Sequence, residues 1–193
     1  YELNCAGLGD EALAAELFGA KRGALPGTTQ SRAGLLQKAD RGTIFLNGVD
    51  ALSPQMQMAL LRVVTEGAFQ PFGAHETLTT NTRIIAGAHR DLRARVSDGR
   101  FRTDLYYALQ VTELTMPPLR ARVDDIILLA ERFLHEAATE HGKVARGIAP
   151  DAATFLEAYD WPGNLPELRN EIVRMLILAQ DVTLGADLIS RHI

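Results

Sequence analysis

Two hydrophobic periodicities divide this chain. In the first part, short apolar runs alternate with amphipathic stretches; beyond Arg122, apolar residues recur only every three or four positions. Thr43–Leu46 and Arg83–Ala86 are short apolar runs rich in β-branched side chains, which predicts buried strands of a parallel sheet. Val111–Leu114 reads as a third strand, and Tyr1-Glu2-Leu3 as the tail of another. Asp10–Phe18 carries Leu13, Leu17 and Phe18 at helical spacing after an acidic start that suits the helix dipole. Ser31–Ala39 is predicted as a short helix. Ser53-Pro54 is a capped helix start with proline at the first position, and Met56, Leu60, Leu61 and Val64 are its expected buried face. Asp91–Val96 and Arg102–Leu109 read as short helices. Phe69–Phe72 and Leu78–Thr80 read as arms of a hairpin around Gly73–Glu76. Asn4–Gly9 is a loop, and so is Gly19–Gly27, where three glycines and Pro26 break regular structure.

Pro117-Pro118 closes this part. Asp124–His141 then forms a long amphipathic helix with Ile127, Ala130, Phe133, Leu134 and Ala137 inside. Pro150–Tyr159 and Leu165–Ala179 follow, separated by the break at Gly163-Asn164, and a short fourth helix falls near Ala186–Ser190. The expected fold class is α/β: a parallel-sheet part over residues 1–122, then an all-helical part over 123–193.

Composition adds bounds. The 47% hydrophobic and 23% charged content suits a globular protein, and a net charge of −4 argues against non-specific nucleic-acid binding. One cysteine, Cys5, excludes an internal disulfide framework and fits a reducing, cytoplasmic setting; it reads as a small buried apolar residue. No run of about 18 apolar residues exists to span a membrane. No signal peptide opens the chain, which begins in mid-element as a fragment would. No His, Cys or carboxylate spacing resembles a zinc site, and the metal expectation is none.

Chemistry in open α/β sheets gathers just past the carboxyl ends of the strands. Past Thr43–Leu46 stand Asn47 and Gly48, neither able to anchor a divalent cation well or act as a general base. Taken alone, they describe an ordinary core strand followed by a turn.

Eight stretches in order change that. They are Asn4-Cys5-Ala6; Glu16-Leu17-Phe18-Gly19; Gly42-Thr43-Ile44-Phe45-Leu46; Leu60-Leu61-Arg62-Val63; Arg83-Ile84-Ile85-Ala86 with His89; Phe101-Arg102 with Asp104-Leu105-Tyr106; Pro117-Pro118-Leu119-Arg120 with Arg122, Asp125 and Ile126; and Trp161-Pro162-Gly163-Asn164. Together they resemble the central AAA+ (sigma-54 interaction) domain of NtrC-type bacterial enhancer-binding transcription regulators. The resemblance implies an AAA+ core with a helical lid. It also implies ATP and magnesium as cofactors, ring self-association, and RNA polymerase carrying sigma-54 as partner. DNA would be bound only through a domain outside these residues.

The departures from that family are specific. Its P-loop, G-x-x-x-x-G-K-[ST], occurs nowhere in these residues. The family places the P-loop strand mid-sheet, so without it the neighbouring strands would lack a partner. Where the family has Asp-Glu, for magnesium and for the attacking water, this chain has Asn47 and Gly48. Asn4 matches the asparagine that restrains that glutamate. Before His89, which reads more simply as a structural histidine, Ala88 replaces a threonine. Of two arginines that reach a neighbour's nucleotide, Arg102 is kept and Ala108 replaces the other. Pro166 replaces the lid arginine that senses the γ-phosphate. Asn4, Asn47, Arg102 and Arg120 are the remaining candidate nucleotide contacts, although Arg102, Arg120 and Arg122 fit interdomain ion pairs equally well. Trp161 reads as a core anchor of the lid turn. A positioned general base is worth roughly 10² to 10⁴ in rate, and an arginine finger about 10³ to 10⁵; either loss alone would slow turnover severely.

Gly23-Ala24-Leu25-Pro26-Gly27-Thr28 sits where the family carries GAFTGA, the loop that touches sigma-54. Leu25 takes the Phe position and Pro26 the Thr position, and proline fixes φ and removes an N–H. Three readings stand open: a regulatory module with lost hydrolysis and an altered sigma contact, related to members that act with the housekeeping sigma factor; an active ATPase whose P-loop lies upstream; and a remnant without selected activity.

Overall fold

Thr43–Asn47 is the middle strand of a three-stranded parallel sheet in the computed structural model, which describes residues 1–25 and 29–193. The chain folds as two units, Tyr1–Glu113 and Leu114–Ile193.

In the first unit the strands are β1 (Glu2–Asn4), β2 (Gly19–Ala20), β3 (Arg32–Ala33), β4 (Thr43–Asn47), β5 (Ala68–Phe69), β6 (Leu78–Thr79) and β7 (Arg83–Gly87); the helices are α1 (Asp10–Phe18), α2 (Leu35–Lys38), α3 (Pro54–Glu66), α4 (Leu92–Ser97) and α5 (Thr103–Leu109). The parallel sheet has the order β1-β4-β7. Its register places Asn4 beside Asn47, and Asn47 beside Gly87. Alternation along the strands puts Leu3, Ile44 and Leu46 into a core with Leu13 and Leu17 of α1, Leu60 of α3 and Leu105 of α5. The opposite face carries Phe45, half-buried, and Ile85, exposed.

Local chemistry explains the helix limits. Ser53 Oγ accepts the Met56 N–H at 3.2 Å, Pro54 occupies the first turn, and Gly67 ends α3 with φ 64°. Asp91 caps α4 through the Arg93 N–H at 2.8 Å. On α3 the fully buried residues are Met56, Gln57, Leu60 and Val63, so Gln57 and Val63 lie deeper than the expected Leu61 and Val64.

Three expectations need correction here. Val111–Leu114 forms no strand, and Val111 and Leu114 are 88% and 86% exposed. Its residue types suit a strand, but no described strand lies alongside to take its backbone groups, and β7 is an edge. The helix expected over Ser31–Ala39 contracts to Leu35–Lys38, because Arg32–Ala33 pairs antiparallel with Gly19–Ala20. That same pairing gives the loop Gly19–Gly27 a regular start. Gly34 lies so close to Gly19 that a Cβ there would sit 2.3 Å from the Gly19 nitrogen.

The second unit contains α6 (Asp125–His141), β8 (Gly147–Ile148), α7 (Pro150–Ala158), α8 (Asn164–Leu178) and β9 (Thr183–Leu184). It is therefore not all-helical: β8 and β9 form a two-residue parallel pair. Leu119, ahead of the expected 122/123 division, packs in this unit's core with Ile126, Ala130, Leu156, Leu168 and Ile172. Trp161 is fully buried there, and its indole N–H donates to the Leu156 carbonyl at 2.7 Å. On α6, Ile126 and Ala138 are buried while Ile127 and Phe133 are half-buried. The fourth element is a 3₁₀ turn, Ala186–Leu188. No helix among the described residues is long and apolar enough to cross a membrane.

Candidate functional site

The parallel register brings Asn4, Asn47 and Gly87 side by side at the carboxyl ends of β1, β4 and β7. Gly48 follows immediately. Its backbone is left-handed, φ 79° and ψ 39°, and its N–H donates to the Gly87 carbonyl at 2.8 Å. A side chain is strained in that conformation, whereas glycine is not. The chain then turns through a 3₁₀ segment, Val49–Ala51, in which Val49 and Asp50 are buried.

Two of the polar side chains around this edge, Asn4 and Asp50, are committed to turns. Asn4 Oδ1 accepts the Ala6 N–H at 2.9 Å, which locks the turn after β1. Asp50, 7% exposed, accepts the His89 N–H at 3.0 Å. His89 thus serves through its backbone, with its side chain exposed. Cys5 is buried, and burial, reinforced by the Asp50 charge, pushes its thiol up to about 11. The strand end offers an amide and main-chain groups, with the nearby Asp50 carboxylate committed to a turn. Such a donor set does not fit magnesium, which wants carboxylate oxygens. Among the described residues no group of three His, Cys, Asp or Glu could hold a metal ion.

Arg102 is the residue before α5. Its guanidinium meets Asp104 through two bonds, Nε to Oδ1 at 3.0 Å and Nη2 to Oδ2 at 2.7 Å. The hydrogen bond from Arg102 leads the causes that hold the Asp104 carboxyl below its usual range, and both groups face solvent. Ala108, half-buried, lies further along α5. Arg120 and Pro166 belong to the second unit. Arg120 is exposed in the 3₁₀ turn Leu119–Ala121. Pro166 is exposed in the first turn of α8, where a helix has no partner for the missing N–H in any case. Arg122 makes a local pair with Asp125 at 3.9 Å.

Of the loop residues, Gly23 is exposed with φ 76°, and Ala24 and Leu25 are half-buried. Pro26, Gly27 and Thr28 lie outside the described residues. The loop base is clamped twice: by the β2–β3 pair, and by Phe72, which exchanges backbone bonds with Gly19 and Lys21 at 2.7 and 3.0 Å.

The sequence reading missed Asp50 and Gln57, and it placed Asp104 in a family motif without giving it a role. Asp104 carried a readable signal, a carboxylate two positions from a candidate arginine at a helix start. Asp50 and Gln57 gave none, since the groups of His89, Arg100 and Arg102 that they bond lie 39 to 45 residues away.

A parallel α/β core followed by a helical unit is the architecture of an AAA+ domain with its lid, and the comparisons agree. Residues 1–115 match the sigma-54 interaction domain, and residues 120–193 match an AAA+ ATPase lid domain. The chain belongs to the sigma-54 interaction domain family. It is 47% identical over 176 residues to the transcriptional regulatory protein ZraR of Salmonella typhimurium (strain LT2), covering 91% of this chain and 40% of that protein. It is 42% identical over 190 residues to the hydrogenase transcriptional regulatory protein HoxA of Cupriavidus necator, covering 98% of this chain and 39% of that one. The chain thus spans about two fifths of these relatives. Among solved structures it is similar to NtrX from Brucella abortus in complex with ATP, with TM-score 0.87 and 33% identity, covering 100% of this chain and 42% of that one.

Proposed function

We propose that this chain is the AAA+ module of a cytoplasmic bacterial transcription regulator and that it no longer hydrolyses ATP. It serves assembly or spacing between an input domain and a DNA-binding domain. One observation carries the reading: the carboxyl end of β4 presents Asn47 and a left-handed Gly48 whose N–H is already bonded. Neither residue carries a carboxylate to orient magnesium or polarise a water, and the nearby Asp50 carboxylate accepts the His89 N–H. Arg102 is retained at the start of α5, and its role is to face an anionic group on a second copy in a ring. Ala108 and Pro166 remove the two other cations that would grip a γ-phosphate. The Leu25-Pro26 substitution alters the contact with RNA polymerase carrying sigma-54.

Phosphate release by the purified protein tests this, and the expected result is no turnover above background. In cells, a reporter driven by a sigma-54 promoter is expected to stay silent; activation by the intact protein would contradict the altered contact.

A second reading retains nucleotide turnover. NtrX, similar over the whole of this chain, was solved with ADP and with ATP. That reading requires an upstream P-loop, and a water-polarising carboxylate from elsewhere.

A further inference from the structure

Gln57 is a polar residue at a core position. It is 1% exposed, on the buried face of α3 between Met56 and Leu60. Its amide makes three hydrogen bonds. Nε2 donates to the Leu52 carbonyl at 2.8 Å and to the Arg100 carbonyl at 3.1 Å, and Oε1 accepts the Arg102 N–H at 2.8 Å. Both amide protons are therefore used, and one side of the oxygen.

The pattern is specific. Arg100 and Arg102 flank Phe101, which is 3% exposed and fixed in the core. Gln57 takes the carbonyl before Phe101 and the N–H after it, as a neighbouring strand would. Arg102 then turns its guanidinium onto Asp104. The bond to Leu52 ties the same amide to the segment that leaves Gly48.

We propose that Gln57 is the positioning residue for Arg102: it fixes the main chain of Arg100–Arg102 so that the guanidinium is held at the start of α5, beside Asp104, for an anionic group on a second copy. This rests on the role given to Arg102 above. An apolar side chain of equal volume would fill the same space. It would strip three backbone groups of their partner and free the main chain that carries Arg102.

The experiment uses the whole protein with Gln57→Met and Gln57→Glu, read by NMR. Two signals matter: the titration of the Asp104 carboxyl and the hydrogen exchange of the Arg102 amide. In Gln57→Met, Asp104 is expected to titrate closer to the free value of about 3.9, and the Arg102 amide to exchange at least ten-fold faster. In Gln57→Glu the carboxylate still accepts the Arg102 N–H but no longer donates to the Leu52 and Arg100 carbonyls, so the protection is expected to return in part. Should Gln57→Met fail to fold, Gln57→Glu against the parent gives the amide readout. Val63→Ala, a destabilising change in the same helix, is expected to lower the melting temperature and leave both signals unmoved. An unmoved Asp104 titration in folded Gln57→Met, or an Arg102 amide as exposed in Gln57→Glu as in Gln57→Met, overturns the proposal. Arg102→Ala tests the underlying role separately. If ATP-dependent self-association ignores that change, the ring-facing role of Arg102 fails while the effect of Gln57 on its position is still measured.

Discussion

Restoring the family's acidic pair to this chain should strain it without returning catalysis. The perturbation is Asn47→Asp with Gly48→Glu, dissected by Gly48→Ala and Gly48→Asn. Gly48 has φ 79°, held by its N–H bond to the Gly87 carbonyl at 2.8 Å. A Cβ built there meets Ala6 Cβ at 3.4 Å and His89 Cδ2 at 3.5 Å, which is ordinary contact. Sterics from neighbours therefore add little, and the cost is the left-handed backbone itself, roughly 1 to 2 kcal/mol for a residue with a Cβ. A unit of this size loses about 4 °C of melting temperature per kcal/mol, so Gly48→Ala should melt about 4 to 8 °C lower. Asparagine tolerates the left-handed region better, so Gly48→Asn should lose less. Calorimetric melts of the three proteins decide. A Gly48→Ala protein as stable as its parent, or an Asn variant no better than Ala, would refute the strain argument. For the double variant, phosphate release should stay at background, because the new carboxylate departs from a backbone turned toward Ala6 and His89.

Three further outcomes are expected. Glu171 is 5% exposed; burial opposes its ionisation, but hydrogen bonds from Arg174 and Ser190 outweigh that and hold its carboxyl below the usual range. Its folded value is depressed, so its contribution is present above the unfolded value of about 4.3 and is lost as pH falls through the folded one. Glu171→Gln should cost about 2 to 3 kcal/mol at pH 7, at the low end for a buried pair because Arg174 is partly exposed, and the gap should narrow below pH 4; equal melts at pH 7 would count against it. Gly34→Ala should cost about 3 kcal/mol or more through forced backbone movement, with faster hydrogen exchange at Ala20 and Arg32, since its Cβ would sit 2.3 Å from Gly19 N and 2.4 Å from Phe18 C; undisturbed exchange there would be the contrary result. Cys5 should react with iodoacetamide at pH 8 far more slowly in the native protein than in urea, because its thiol is buried and titrates at about 11; equal rates would contradict its burial.

Much of the architecture was legible because it rests on local rules. β4 and β7 announce themselves as β-branched runs, α3 by Ser53-Pro54, and α6 to α8 by spacing. What failed depends on neighbours. Val111–Leu114 has a strand's residues but no strand beside it. The two-residue pairs β2–β3 and β8–β9 are too short to carry a period, and β3 displaces the first turns of a predicted helix through the Gly19–Gly34 approach. On α3 an apolar pattern could not anticipate Gln57 as a core residue, since its value lies in Arg100 and Arg102, more than 40 residues on. At the site, the family resemblance marked Asn47, Gly48 and Arg102. The left-handed turn at Gly48 and the clasp of Arg102 by Asp104 needed coordinates.

Single-turnover and steady-state phosphate release by the full-length natural protein, with ATP and magnesium, addresses the loss of hydrolysis most directly. The expected result is release no faster than in buffer, unchanged by Arg102→Ala. Release at the rate of a working AAA+ protein, abolished by Arg102→Ala, would contradict the account.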